Sequence, residues 1–310
     1  MYGVLFGVLL LTCGCAPVSR ASGLLTPGDD APKSASQVTS TEEEAATSAE
    51  RIADDDEIVL RIRQALKEKS ARMTVSFFSE TDVTADAGAL AEALMEAALA
   101  ETAEPAEGDY LRYQYGGYGY KCTSAKTDDG YDVRLRIEPS YYATVSQEEA
   151  ASEKAEALTA SFGFTKDTSD AEKIRIIYDA VCRDARYDKV HVKNEHDHTD
   201  ATAYAALVRK CATCQGFCTA LYRLLKMSGI DCRIVTGQAE TDGLHAWVIA
   251  EVNGLCYLLD PTRDAGKDEY RYFLLGTAEA TQYLPGEDFR TETFLKEYPL
   301  AEQTYKGETP

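Results

Sequence analysis

The sequence predicts an α+β protein, and three stretches carry that prediction. Residues 87–101, AGALAEALMEAALAE, place apolar side chains at helical spacing with acids between them. Residues 110–124 and 131–142 read as two strands about the polar turn AKTDDG. A helical run at 214–228 is followed by three strand-like runs, IDCRIVTGQAE, GLHAWVIAEV and GLCYLLD.

The 310 residues suffice for one large domain or two modest ones, and either buries a sizeable core without a disulfide scaffold or structural metal. A formal charge of -20 repels nucleic acid and anionic membrane surfaces, so neither is an expected partner.

Taken in order, residues 1–11, MYGVLFGVLLL, are apolar but too short to cross a bilayer, and they read as the core of an export signal. No Lys or Arg occurs before Arg20. Thr12-Cys13-Gly14-Cys15 resembles a bacterial lipoprotein processing site, with Cys15 as the lipidated residue and Leu11-Thr12-Cys13 as a competing frame. The expected location is therefore the outer face of the cytoplasmic membrane, held by a lipid anchor. Residues 16–56 are rich in Ser, Thr, Ala, Gly, Pro and acids and lack apolar periodicity, which predicts a flexible acidic tether.

Ordered chain is expected from 57, with an N-terminal α+β domain over 57–165. EIVLRIRQALKEKS is a strand-like or short helical entry, and MTVSFFSE alternates as a strand. The tyrosines of 110–142 fit one face of a half-buried sheet. QEEAASEKAEALTASFGF predicts a helix ending near Gly163. A second helix follows over TSDAEKIRIIYDAVCRDARYD, with a Thr or Ser cap and acids in its first turn.

A second domain is expected over 166–310. Its loop KVHVKNEHDHTD holds three of the four histidines, His191, His196 and His198, beside Glu195, Asp197 and Asp200. These are candidate ligands for a transition metal, but His-x-His on a polar loop is a weak signal and a solvated rim is the stronger reading; no metal or other cofactor is expected. DATAYAALVRK resumes a helical pattern.

Cys211, Cys214 and Cys218 stand at the start of the 214–228 helix. A thiol at a helix N-terminus is drawn toward its thiolate form by unpaired N–H groups and aligned peptide dipoles, which marks Cys214 as the candidate nucleophile. Cys218 is expected to face the core. Gly216 lets a substrate backbone or a neighbouring element approach. His245 opens the second strand run and Asp260 closes the third, after a Val-Asn-Gly hairpin turn. Thiol, imidazole and carboxylate in that order suit nucleophilic acyl transfer. A core histidine with a turn-capping aspartate would explain either residue alone. Cys232 and Cys256, on candidate neighbouring strands, form a conceivable disulfide, as less readily do Cys211 and Cys218.

Residues 169–263 resemble the bacterial transglutaminase-like superfamily of papain-like fold. The resemblance rests on Tyr187-Asp188, Ala203-Tyr204-Ala205-Ala206-Leu207, Cys214-Gln215-Gly216-Phe217, Gly229-Ile230-Asp231-Cys232, Val235-Thr236-Gly237, His245-Ala246-Trp247 and Asp260-Pro261-Thr262. Arg263 stands where a tryptophan is common. The resemblance implies an antiparallel sheet packed against the nucleophile helix, preceded by a smaller α/β region of the kind found in Gram-positive surface proteins. It makes Cys214 the nucleophile, His245 the base and Asp260 the orienting acid. Tyr204 and Gln215 are oxyanion candidates, and Trp247 a wall of the cleft. The expected activity is hydrolysis or transamidation of an amide or peptide bond in a peptide or protein substrate, such as cell-wall peptide. The alternative is a non-catalytic binding or assembly module on the same fold.

Overall fold

The computed structural model describes residues 36–37, 55–183, 185–189, 198–240 and 243–307. The signal segment, Cys15, nearly all of the tether, and His191, Glu195, His196 and Asp197 lie outside the described residues. Among the described residues no helix is long and apolar enough to cross a membrane. These residues divide into two compact units, one built from 55–100 and 116–140 with 36–37, the other from 101–115 and 141–307.

The first unit carries a four-stranded sheet in the order β1-β3-β4-β2, from β1 (Ser36–Gln37), β2 (Met73–Ser79), β3 (Tyr115–Lys126) and β4 (Tyr131–Tyr141). Helix α1 (Asp55–Lys67) settles the ambiguous entry run, because Ile58, Ile62 and Leu66 recur every fourth residue and are all buried. It packs on α2 (Ala87–Ala98) and on β2. Strands β2 and β4 pair antiparallel, and Val75, Phe77, Val133, Leu135 and Ile137 fill the interior.

In the second unit α3 (Asp109–Arg112) replaces the expected beginning of a strand at 110. Tertiary contacts override local pattern here: Asp109 accepts from Arg233 Nε at 2.8 Å and from the backbone N–H of Ile234 at 2.8 Å. Helix α4 (Val145–Ser161) carries a capping box from Thr144 and Gln147, and α5 (Asp170–Cys182) one from Ser169 and Glu172. The helix expected over 200–210 is instead a 3-10 turn, Thr199–Ala201, and a π-helical turn, Ala205–Arg209, ended by Lys210 at φ 56°. Two short parallel strands, β5 (Arg186–Tyr187) and β6 (Cys211–Ala212), lead to α6 (Cys214–Met227).

An antiparallel sheet of order β10-β7-β8-β9 follows, from β7 (Cys232–Ala239), β8 (Gly243–Val252), β9 (Leu255–Leu259) and β10 (Tyr283–Pro285). Asn253 and Gly254 both take positive φ at the β8–β9 turn, as a tight hairpin requires. Helix α6 lies on one face, where Phe217, Leu221 and Leu224 share a core with Ile234, Ala246 and Val248. Each of these side chains except that of Ala246 contributes about 1.5–3 kcal/mol by burial. Val235, Trp247 and Ile249 pack from the other face against Tyr283, Phe294 and Tyr298, with Phe294 and Tyr298 supplied by α8 (Glu292–Glu297) and its end.

Residues 101–115 and 141–165, expected with the N-terminal domain, fall in this second unit. The reason is α6, which is buried all round through Leu225. Arg223 on it donates to Glu148 Oε1 at 2.9 Å and to Ser152 Oγ at 2.8 Å, tying α4 to the core. The conceivable Cys232–Cys256 disulfide is corrected: β8 lies between their strands and the two thiols belong to opposite faces of the sheet. Cys211 and Cys218 are likewise free.

Candidate active site

Cys214 is the first residue of α6, after Thr213 in extended conformation, and is 7% exposed. One turn on, Cys218 is fully buried, and burial pushes its thiol well above the ordinary range. Gly216 answers the question of close approach with a neighbouring element. A Cβ there would stand 2.5 Å from the carbonyl oxygen of Asp200 and 2.9 Å from that of Thr202. The same Asp200 oxygen accepts from Thr213 N–H at 2.9 Å, so the 199–202 turn braces the start of the helix.

Asp260 follows β9 and caps α7 (Pro261–Asp264), whose first residue is proline. Its Oδ1 accepts the N–H groups of Thr262 at 3.1 Å and Arg263 at 3.2 Å. Capping thereby fixes the carboxylate and leaves Oδ2 free to face inward. There it meets Nε2 of His245 at 2.8 Å and the hydroxyl of Tyr283 at 2.7 Å. One oxygen of Asp260 thus caps α7 and the other meets the imidazole.

His245 stands on β8 opposite Gly237 and is 3% exposed. A Cβ at Gly237 would meet Leu284 O at 2.2 Å, so only glycine admits β10 at this separation and with it Tyr283. The imidazole lies beside Tyr283, centroid distance 6.3 Å, and Trp247, 6.4 Å, whose own rings are 5.0 Å apart. Burial pulls the imidazole toward its neutral form. The hydrogen bond to Asp260 and the one to Cys214, with the charges of both partners, outweigh it and raise the group to about 10. Since Nε2 is taken by the carboxylate, Nδ1 is left for the thiol.

The structure thus gathers Cys214, His245 and Asp260 with Trp247 beside the ring. Gln215 is placed differently from a group aimed at substrate: its Nε2 donates to the backbone oxygen of Tyr113 at 2.6 Å. Tyr204 is half-buried just ahead of the π-helical turn. His198 packs edge-on to Tyr142 at 5.2 Å. Among the described residues no group of three or more His, Cys, Asp or Glu is placed to hold a metal ion.

Two residues of this neighbourhood were not identified from sequence as parts of the site. Tyr283 sits on a three-residue strand, too short for periodicity, and is one of 19 tyrosines. Arg263 brings its Nε to 3.4 Å from Asp260 Oδ2, at ion-pair distance but without hydrogen-bond alignment. Its only sequence signal is its place where a tryptophan is common in the resembling family.

Residues 156–261 match the model of the transglutaminase-like superfamily, and over that stretch the chain is homologous to it. The match ends one residue beyond Asp260 and contains the buried cysteine and the histidine–aspartate pair. Among solved structures, a TGase is 15% identical with a TM-score of 0.36, covering 77% of this chain, which spans 60% of that protein. The periplasmic domain of TgpA from Pseudomonas aeruginosa, bound to ethylmercury, is 14% identical with a TM-score of 0.28, covering 47% of this chain and 66% of its own. At these identities neither transfers an activity. No curated protein matches the chain.

Proposed function

We propose that this chain is a cysteine-dependent acyl-transfer enzyme acting on an amide or peptide bond, with Cys214 as nucleophile, His245 as proton carrier and Asp260 as orienting acid. The observation that carries this reading is the buried line from Asp260 Oδ2 through the imidazole to a thiol at the N-terminus of a helix. The ring takes the thiol proton. The thiolate attacks the carbonyl carbon, forming a C–S bond and an oxyanion; the C–N bond then breaks as the imidazolium delivers its proton to the leaving amine, giving a thioester. Water or an incoming amine attacks the thioester and gives its proton to the ring; the C–S bond breaks, the acyl group leaves, and the ring returns the proton to sulfur.

The backbone N–H of Cys214 and a second donor such as Tyr204 would stabilise the oxyanion. Trp247, its ring centre 6.4 Å from that of His245, would wall the cleft. A peptide or protein substrate, cell-wall peptide included, suits an exported chain held by lipid on Cys15 and spaced by the acidic residues 16–56. That placement draws support from the apolar run and the small residues around Cys15.

The test is peptide mass spectrometry of the full chain after exposure to wall peptides and glutaminyl proteins, seeking an acyl adduct on Cys214. Iodoacetamide labelling runs beside it. An adduct, with labelling at Cys214 slowed in His245→Ala, supports acyl transfer. No adduct and labelling indifferent to His245 would leave the non-catalytic module.

A further inference from the structure

Asp260 Oδ2 is shared among three groups from three elements: it is hydrogen-bonded to the imidazole of His245 on β8 at 2.8 Å and the hydroxyl of Tyr283 on β10 at 2.7 Å, and lies at ion-pair distance, 3.4 Å, from Arg263 Nε on α7. Arg263 is held there by two aromatic rings. Its guanidinium carbon lies 5.2 Å from the ring centre of Tyr272 and 5.5 Å from that of Tyr283, and Nη1 reaches the Tyr272 hydroxyl at 3.5 Å.

We infer that Arg263 and Tyr283 are positioning residues for the acyl transfer proposed above: by dividing Asp260 Oδ2 with the imidazolium they keep the ring in line and make it able to release its proton to the leaving amine. This rests on the assignment of Cys214, His245 and Asp260. The physical need is plain. A carboxylate devoted to one imidazolium inside a protein grips it too firmly for a general acid, which works best when its proton affinity lies near the working pH. A cation and a hydroxyl on the same oxygen draw off part of that negative charge. Neither touches the reacting atoms, so both act through Asp260.

Among the described residues, several charged or titratable groups near the ring enter this balance. Cys214 and, below it, Cys218 come from α6, Asp260 and Arg263 from the β9–α7 junction, and Tyr283 from β10 with Tyr272 beside it. Behind Asp260 stand Tyr178, Cys182 and the buried Asp264. Of these, Arg263 is the cation besides the imidazolium itself, which makes it the decisive substitution.

The experiment is an NMR titration of the His245 ring in the full chain, assigned by loss of its signal in His245→Gln, which four histidines make tractable. Tyr283→Phe keeps the stacked ring and loses only the hydroxyl; Arg263→Met removes the charge; Arg263→Lys restores it without the fork. The expected result is an upward displacement of the midpoint by about one pH unit in Tyr283→Phe and in Arg263→Met, with Arg263→Lys returning toward wild type. Unchanged or lowered midpoints in the folded variants, judged by circular dichroism, would overturn the inference while leaving the acyl-transfer reading intact. Should Tyr283→Phe fail to fold, the two Arg263 variants decide. The underlying reading is checked separately by Cys214 alkylation: a rate identical in wild type and His245→Gln removes that reading and this inference with it.

Discussion

The carbonyl oxygen of Asp200 stands where a side chain on residue 216 would have to go, 2.5 Å from an ideal Cβ, and it also accepts the N–H of Thr213. The turn at 199–202 and the start of α6 are therefore in backbone contact two residues beyond the candidate nucleophile. Gly216→Ala must push one of them away, and both are backbone, so relief is expensive. We expect a loss of about 1–3 kcal/mol in urea unfolding, and alkylation of Cys214 slowed relative to wild type because the helix start is displaced from His245. Unchanged stability together with unchanged labelling would contradict the contact.

A second prediction concerns the segment around α3. Asp109 is 1% exposed and makes two hydrogen bonds to Arg233, at 2.8 and 3.1 Å, as well as one to the N–H of Ile234. Asp109→Ala leaves a largely buried guanidinium and a buried N–H short of a partner. Glu101, 3.6 Å from Arg233 Nε, offsets part of the loss. The expected cost is about 3 kcal/mol by chemical denaturation. Asp109→Asn, which keeps one acceptor, should cost less.

This contact also explains where sequence reasoning ran out. The pattern around Tyr110 fits a strand locally, and nothing within it announces that Asp109 will be held by an arginine 124 residues later. The β8–β9 hairpin was legible because Asn253-Gly254 is a local signal for positive φ. The start of α6 was legible from apolar spacing after Cys214. Tyr283 was not, since a three-residue edge strand has no period and its place depends on Gly237 admitting it. The pair Cys232 and Cys256 misled because sequence shows that two strands are close in order but not that a third lies between them.

That intervening strand gives a third prediction. Cys232 and Cys256 sit on opposite faces of a sheet with β8 between their strands, and both are buried. A bridge would need the sheet to come apart. Non-reducing peptide mapping of protein expressed in an oxidising compartment should recover the two as separate, unlinked peptides, and Cys232→Ala should not destabilise in the way loss of a disulfide would, by about 2–5 kcal/mol.

The last prediction follows from the charge on His245. Its ordinary value of 6.5 is raised to about 10 in the folded chain, with burial opposing and Asp260 and Cys214 favouring the imidazolium. A group whose folded value lies above its unfolded one binds more protons in the native state, so its contribution is full below pH 6.5 and is lost as pH rises toward 10. With Cys214→Ala in both chains, so that the ring's proton comes from solvent, the stability lost on His245→Gln should shrink as pH rises above 6.5, with a slope approaching about 1.4 kcal/mol per unit. Asp260→Asn removes the carboxylate that favours the imidazolium and should flatten the slope. Urea unfolding at half-unit intervals from pH 6 to 10 measures this directly. A difference that stays level across the window, or grows, would mean that the buried ring is neutral and that Asp260 serves only as the cap of α7.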